Sequence, residues 1–290
     1  MKPAIFDYHR AEDFEHARHL LAEYGDDAKI LAGGQSLIAA MNYRLARPSV
    51  LVDISNIADA CLVEDEQSGV RVRATTTQRY AEKHDSIGAR LPVLQQAIEH
   101  IAHFQIRNKG TVGGSITNAD PASELPAMSV LLNAELEVAS SSERRTIPAE
   151  EFYVTYMTTT LAADEVLESV LFVEPPAGCG WGFNEIARRD GDFALAGGAA
   201  VVGTDAEGRC NYARVTVFGV DAVPVRASEV ETAIVGNTYS AECVKDAATL
   251  IRDLVEPEGD VHVSEAYRRD AAAVVTRRAL EDAFSRAQKS

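Results

Sequence analysis

The stretch Lys29-Ile30-Leu31-Ala32-Gly33-Gly34-Gln35-Ser36-Leu37 decides how the chain is read. An apolar run ends in two adjacent glycines, followed by an amide, a hydroxyl residue and a leucine. Two missing Cβ atoms let the backbone approach another surface closely. Successive main-chain N–H groups in such a turn make a concavity that suits an anion. A second stretch repeats this chemistry: Thr111-Val112-Gly113-Gly114-Ser115-Ile116-Thr117-Asn118-Ala119-Asp120-Pro121. One such turn is ordinary. Two of them, far apart in sequence and alike in composition, point to two loops closing on one diphosphate from opposite sides. The other reading, taken on the glycines alone, is two tight turns with no ligand.

Working outward from the first pair, residues 28–32 read as a short buried strand, 36–45 as a helix opening on the glycines, and 50–54 as a second strand. This is a β–α–β unit with an anion site at its turn. Ahead of it, Phe14, Ala17, Leu20, Leu21 and Tyr24 recur at helical spacing and predict a helix over 11–24 that stops at Gly25. Residues 61–63 and 70–74 read as hairpin strands, and Thr75-Thr76-Thr77 as a strand end and helix cap. Residues 91–101 read as a helix with Pro92 in its first turn. The polar segment Arg107-Asn108-Lys109-Gly110 leads into the second glycine pair, and no helix is expected close behind it. Residues 121–132 read as a helix behind Asp120, 134–139 and 165–173 as strands, and 147–152 as a loop into a short helix. Glu174-Pro175-Pro176-Ala177-Gly178 is the clearest boundary. Beyond it, 181–188, 196–204 and 211–220 predict three strands, and 225–234, 241–254 and 264–287 predict helices.

With 290 residues and 46% hydrophobic content, the chain can bury a sizeable core in two or three domains. Its formal charge of −16 argues against nucleic acid and anionic membranes as partners. No apolar run reaches transmembrane length, and Met1-Lys2-Pro3-Ala4-Ile5-Phe6-Asp7 carries no signal-peptide core, so a cytoplasmic protein is expected. The four cysteines, at 61, 179, 210 and 243, form no CxxC, so neither a zinc knuckle nor an iron–sulfur site is expected. The spacing of Gly110-Thr111-Val112-Gly113-Gly114 is wrong for a dinucleotide fingerprint, no P-loop lysine follows either pair, and Gly34-Gln35-Ser36-Leu37-Ile38 lacks the closing glycine of a nucleophile elbow. The pairs His16/His19 and His100/His103 have no carboxylate or cysteine at ligand spacing. They read as solvated or capping histidines, and no metal site is expected.

Several motifs in order give the chain a family resemblance. These are Phe6-Asp7-Tyr8, Ile30 through Leu37, Arg47-Pro48, Gln105-Ile106-Arg107-Asn108, Thr111 through Ser115, Ala119-Asp120-Pro121-Ala122-Ser123-Glu124-Leu125-Pro126, and Ala187-Arg188-Arg189-Asp190-Gly191-Asp192-Phe193-Ala194-Leu195. Across nearly its whole length the chain resembles the FAD-binding medium subunit of molybdenum-containing hydroxylases. The resemblance implies an α+β fold: a two-lobed FAD-binding domain of the vanillyl-alcohol-oxidase/PCMH type, then a C-terminal three-stranded antiparallel sheet with helices. The divisions expected are a small β–α–β lobe (1–56), a larger mixed lobe (57–176) and a C-terminal α+β domain (177–290).

The resemblance also implies site residues. The first loop (Ile30, Leu31, Ala32, Gly33, Gly34, Gln35, Ser36, Leu37) and the second (Thr111, Val112, Gly113, Gly114, Ser115) would meet the FAD diphosphate. Ile101 and Leu161 would make apolar contacts to the flavin, with core packing as their other reading. Asp120 and Glu124 would sit near its ribityl or adenosine portion, or serve as helix N-terminal acids. Phe193 stands where several relatives carry a tyrosine beside the ring, so a phenolic hydrogen bond is absent here. No His or Cys lies in 28–45, so the FAD is expected to be non-covalent. No catalytic acid or base is assigned. The implied function is electron transfer within a heterotrimer, assembled as a dimer of heterotrimers. A large subunit would carry the molybdopterin cofactor and a small one two [2Fe-2S] clusters, and this chain would pass electrons to an outside acceptor. The alternatives are a free-standing FAD-dependent oxidoreductase and a flavin-free assembly subunit.

Overall fold

A computed structural model describes residues 2–58 and 61–287. The N-terminal strands Asp7–Arg10, Ala28–Leu31 and Val50–Asp53 form a parallel three-stranded sheet with the last of them in the middle. The helix Phe14–Tyr24 packs Ala17, Leu20 and Leu21 onto Val50, Val52 and Ile54. It starts at Asp13, whose carboxylate accepts from the His16 N–H at 2.7 Å, and stops at Gly25, whose φ of 54° few other residues tolerate. The helix behind the first glycine pair is shorter than its sequence suggests, Leu37–Asn42.

The second unit is an antiparallel five-stranded sheet in the order Val63–Asp65, Gly69–Arg73, Val166–Val173, Glu135–Ala139, Arg144–Pro148. Its last strand takes the start of the segment 147–152 expected to be a loop, and Ser140 closes the hairpin ahead of it by accepting from the Ser142 and Glu143 N–H groups. Alternation sends Val70, Val72, Leu136, Val138, Val170 and Phe172 to one face, against the helices Pro92–His100, Val112–Asn118 and Glu124–Leu131. The other face is charged. There Glu168, at the break in register between Leu167 and Ser169, pairs with Arg18 of the first helix and with Arg144 at 2.7 Å, so a β-bulge joins the two units. Short helices at Gln78–Glu82, Asp85–Arg90 and Phe104–Arg107 carry too few residues to show a period in sequence.

The third unit has three long antiparallel strands, Gly180–Ala187, Ala194–Thr204 and Cys210–Phe218, with the two-residue strand Val225–Arg226 at the edge. That edge strand takes the start of the segment expected to be helical; the helix itself is Ser228–Ile234. Residues 241–254 break into Ala241–Thr249 and Ile251–Leu254. The long helix Glu265–Ala287 lies directly on the sheet. A Cβ at Gly182 would sit 2.8 Å from the Ala279 carbonyl carbon, which explains why alanines meet glycines along this contact. Among the described residues, no helix is long and apolar enough to cross a membrane.

Candidate functional site

The two glycine loops touch. A Cβ at Gly33 would collide with the Lys109 carbonyl oxygen and lie 2.9 Å from the Gly110 Cα. A Cβ at Gly114 would lie 3.8 Å from that of Ala32. Of the four glycines, Gly33 serves this loop-to-loop seam. Gly34 has φ +70°, so it supplies the turn. Gly113 lets its helix close onto Ala74, where a Cβ would meet backbone at 2.7 Å. Gly114 clears the Thr111 hydroxyl, at 2.6 Å from a built Cβ. The glycines therefore shape the protein's own surfaces first, and only through them a ligand's.

The loops differ in what they can donate. In the second, the N–H of Val112 goes to the Thr76 carbonyl, that of Gly113 to Ala74, that of Ser115 to the Thr111 carbonyl, and that of Gly114 to Thr111 Oγ1 at 3.0 Å. This loop is a capped helix start, Val112–Asn118, where no helix was expected so close behind the glycines. The Thr111 hydroxyl supplies the cap, and sequence reading missed it because the glycines lower helix propensity. In the first loop, by contrast, the N–H groups of Gly33, Gly34, Gln35 and Ser36 meet no acceptor in the chain among the described residues. Gln35 folds back, donating from Nε2 to the Gly33 carbonyl at 3.1 Å. Ser36 starts its helix without a side-chain capping bond. A run of unpaired donors on a half-exposed turn is the arrangement that holds a diphosphate. Ile30 packs on the small-lobe core, and Leu31 and Leu37 are half-buried around the turn.

Of the apolar candidates, two pack on the large core and the third is exposed. Ile101 follows the helix Pro92–His100 and packs on the large core, as does Leu161. Ala102, next in chain, has φ 43°, and Gly191 is pressed onto it, with a built Cβ only 2.9 Å from the Ala102 oxygen. This contact brings the segment ending in Phe193, 62% exposed, to the Ile101 side. Ala119 (φ 50°) and Met157 (φ 48°) are likewise left-handed, and the Met157 N–H donates to the Ala119 carbonyl at 3.1 Å. Such strained backbone persists where surrounding contacts over-determine it, and it concentrates at ligand sites.

One positioning residue lay in a quoted motif without a role. Arg107, 8% exposed, donates from Nε to Glu82 at 2.8 Å and from Nη1 to the carbonyls of Ile101 and Ala102 at 2.7 and 3.1 Å. It fixes the strained Ile101–Ala102 turn, and the Glu82 partner is met only in three dimensions.

Asp120 and Glu124 are both withdrawn from solvent. Burial pushes the Asp120 carboxyl up, opposed by the Ala122 N–H donating to it at 3.0 Å. Burial, with the like charge of Glu185, pushes Glu124 up to about 8. His100 is partly exposed, and it also pairs with a carboxylate that sequence spacing did not offer it. Its Nδ1 lies 3.4 Å from Glu185 Oε1, and that contact raises its pKa. Among the described residues, no group of His, Cys, Asp and Glu is arranged to hold a metal ion.

This architecture has close relatives. Residues 4–172 match the family described as "FAD binding domain in molybdopterin dehydrogenase", and residues 181–283 match "CO dehydrogenase flavoprotein C-terminal domain". The chain is 38% identical, over 99% of its length and 97% of the relative's, to the 6-hydroxypseudooxynicotine dehydrogenase complex subunit alpha of Paenarthrobacter nicotinovorans. It is 35% identical to the carbon monoxide dehydrogenase medium chain of Afipia carboxidovorans, over 99% of this chain and all of that one. Among solved structures, a chain of the carbon monoxide dehydrogenase of Hydrogenophaga pseudoflava superposes with a TM-score of 0.96 at 34% identity, covering 99% of both. A chain of quinoline 2-oxidoreductase from Pseudomonas putida 86 gives 0.94 at 33%, again over 99% of both. The chain belongs to the FAD-binding family of the molybdopterin dehydrogenases, as a flavoprotein oxidoreductase subunit.

Proposed function

We propose that this chain is the electron-exit subunit of a heterotrimeric molybdenum hydroxylase. It receives electrons from an iron–sulfur subunit and delivers them to an external acceptor, while substrate is hydroxylated on a large molybdopterin subunit. The observation that carries this reading is the seam between the loops: the unpaired N–H groups from Gly33 to Ser36 are held against the second loop, forming a preorganised cradle for a diphosphate. In it, the first loop binds through main-chain donors, and the second contributes the Ser115 hydroxyl and the rigid face of its capped helix. Ile101, Leu161 and Phe193 would line the flavin ring, and Arg107 would hold that wall in place. When bound, FAD supplies a two-electron store that fills one electron at a time.

Support for partner chains comes from the relatives, which are named "complex subunit alpha", "medium chain" and "medium subunit". One solved relative is described as lacking the Mo-pyranopterin moiety of its molybdenum cofactor. Four unpaired cysteines fit a reducing compartment, and we assign the assembly to the cytoplasm. We also take the units to divide at 1–56, 57–176 and 177–290.

The test is purification with and without the partner chains. The expected result is about one FAD per chain, released by acid, since nothing in the first loop can bond it covalently. A colourless chain that takes up no FAD would refute the reading. A chain that binds FAD but forms no complex with the neighbouring subunits would leave a free-standing flavoprotein.

A further inference from the structure

Between the helix Pro92–His100, the start of Glu124–Leu131 and the strand Gly180–Ala187 lies a cluster the electron-transfer reading does not use. Glu185 lies two residues beyond Phe183, so both point inward from the same face of the strand, and Phe183 belongs to the large core. The Glu185 side chain is only 6% exposed, and its Oε2 is buried with no hydrogen-bond partner among the described residues. Its Oε1 faces His100 Nδ1 at 3.4 Å, and the imidazole packs on Phe183 at 5.0 Å. Glu124, 5% exposed, lies close enough to interact electrostatically with both.

Two buried carboxylates thus share a site with one half-exposed histidine, and one carboxylate oxygen has no donor among the described residues. A buried carboxylate oxygen without a donor costs free energy unless a proton or a cation answers it. The other charges facing the site are Asp120 ahead of the Glu124 helix and Asp190 from the segment that carries Phe193, both negative. Arg107, which reaches the Ile101 and Ala102 carbonyls, is already paired with Glu82. His100 is 37% exposed and so links the cluster to solvent. The cluster also borders the flavin wall, since Ile101 follows His100 directly and Gly191, near Phe193, presses on Ala102.

We propose that Glu124, Glu185 and His100 act together as a proton store, taking up one proton when the bound flavin is reduced and returning it when the flavin is reoxidised. The inference rests on FAD binding at this site. Two electrons enter from the partner's iron–sulfur centres. The negative charge they bring raises the proton affinity of the cluster, so a carboxylate becomes a carboxylic acid with a proton that enters by way of His100. When an external two-electron acceptor removes the electrons, the same proton leaves by the same route. The cluster supplies charge balance and no covalent step.

The test is a redox titration of the FAD-loaded chain at a series of pH values on either side of pH 8, for the wild type, Glu124→Gln and Glu185→Gln. With one extra proton per two electrons, each tenfold change in proton concentration moves the potential by about 30 mV more than in a chain without the store. The wild type is expected to show this steeper dependence above pH 8, and Glu124→Gln to lose it. Glu185→Gln removes the like charge that lifts Glu124, so the steeper segment should begin at lower pH. Parallel plots for all three proteins would overturn the proposal. Should Glu124→Gln shed its FAD, Glu185→Gln decides: a moved onset supports the store and an unmoved one overturns it. A wild-type chain unable to hold FAD is a separate outcome, which defeats the site reading and with it this one.

Discussion

Gly33→Ala tests the seam on which the site depends. The added Cβ would overlap the Lys109 carbonyl oxygen and stand 2.9 Å from the Gly110 Cα. Both are backbone atoms, so no rotamer change relieves the contact and one loop must retreat. Overpacking of this kind costs about 1–3 kcal/mol. Without FAD, the chain can relieve much of this by parting the loops. With FAD bound, the loops must close, so the cost falls on binding. At 1.4 kcal/mol per decade, the dissociation constant should rise by roughly tenfold to a hundredfold. Two neighbouring substitutions calibrate the result. Gly114→Ala meets Thr111 Oγ1, a side chain that can turn away by giving up its 3.0 Å cap, a loss of about 1 kcal/mol. Gly34→Ala forces a residue with a Cβ to φ +70°, costing about 1–2 kcal/mol without touching the second loop. The assay is titration of FAD into the flavin-free chain, followed by quenching of flavin fluorescence, with thermal unfolding of the same samples. Wild-type affinity in Gly33→Ala would refute the idea that loop-to-loop contact shapes the cradle.

Arg107→Met removes three hydrogen bonds and leaves Glu82 with Arg79 and Lys83 as its partners among the described residues. Denaturant unfolding should show a loss of about 3 kcal/mol, accompanied by weaker FAD binding, and a change below about 1 kcal/mol would show that the turn holds itself. Phe193→Tyr adds a hydroxyl to a ring that is 62% exposed, so the flavin-free chain should keep its stability within about 0.5 kcal/mol while the flavin potential shifts; an unchanged potential would mean that the ring does not face the flavin. Glu124 makes the flavin-free chain pH-sensitive. Its folded pKa lies above the ordinary carboxyl value, so between 4.5 and about 8 the native state holds a proton that the unfolded chain has released, and stability falls as pH rises through that window. Glu124→Gln should flatten this slope in urea unfolding series, and an undiminished slope would place its origin elsewhere.

Much of the fold was legible because it is local. Two of the three strands of the parallel unit could be read from the apolar runs around Leu31 and Val52, though not the edge strand Asp7–Arg10; the first helix could be read from the spacing of Ala17, Leu20 and Leu21, and the long C-terminal helix from propensity alone. The short helices Gln78–Glu82 and Phe104–Arg107 and the strand Val225–Arg226 were not legible, because one turn of helix or a two-residue strand shows no period. The capped helix Val112–Asn118 was hidden for another reason. Its glycines argue against helix in isolation, and only the sheet at Ala74 makes their small size useful.

The site divides in the same way. By itself, the sequence determined that the first glycine pair stands in a turn whose donors suit a diphosphate, because turn formation and donor supply are properties of adjacent residues; the second pair, expected to be a like turn, lies instead in a capped helix. Tertiary structure alone decided which donors stay unpaired. The second loop's N–H groups are taken by Thr76, Ala74 and Thr111, while those from Gly33 to Ser36 are not. It alone brought Gly33 against Lys109, Arg107 under the Ile101–Ala102 turn, and Glu185 and His100 beside Glu124. These contacts span long stretches of chain, and burial, which governs the charge state of Glu124, depends on everything packed around a residue rather than on its neighbours in sequence.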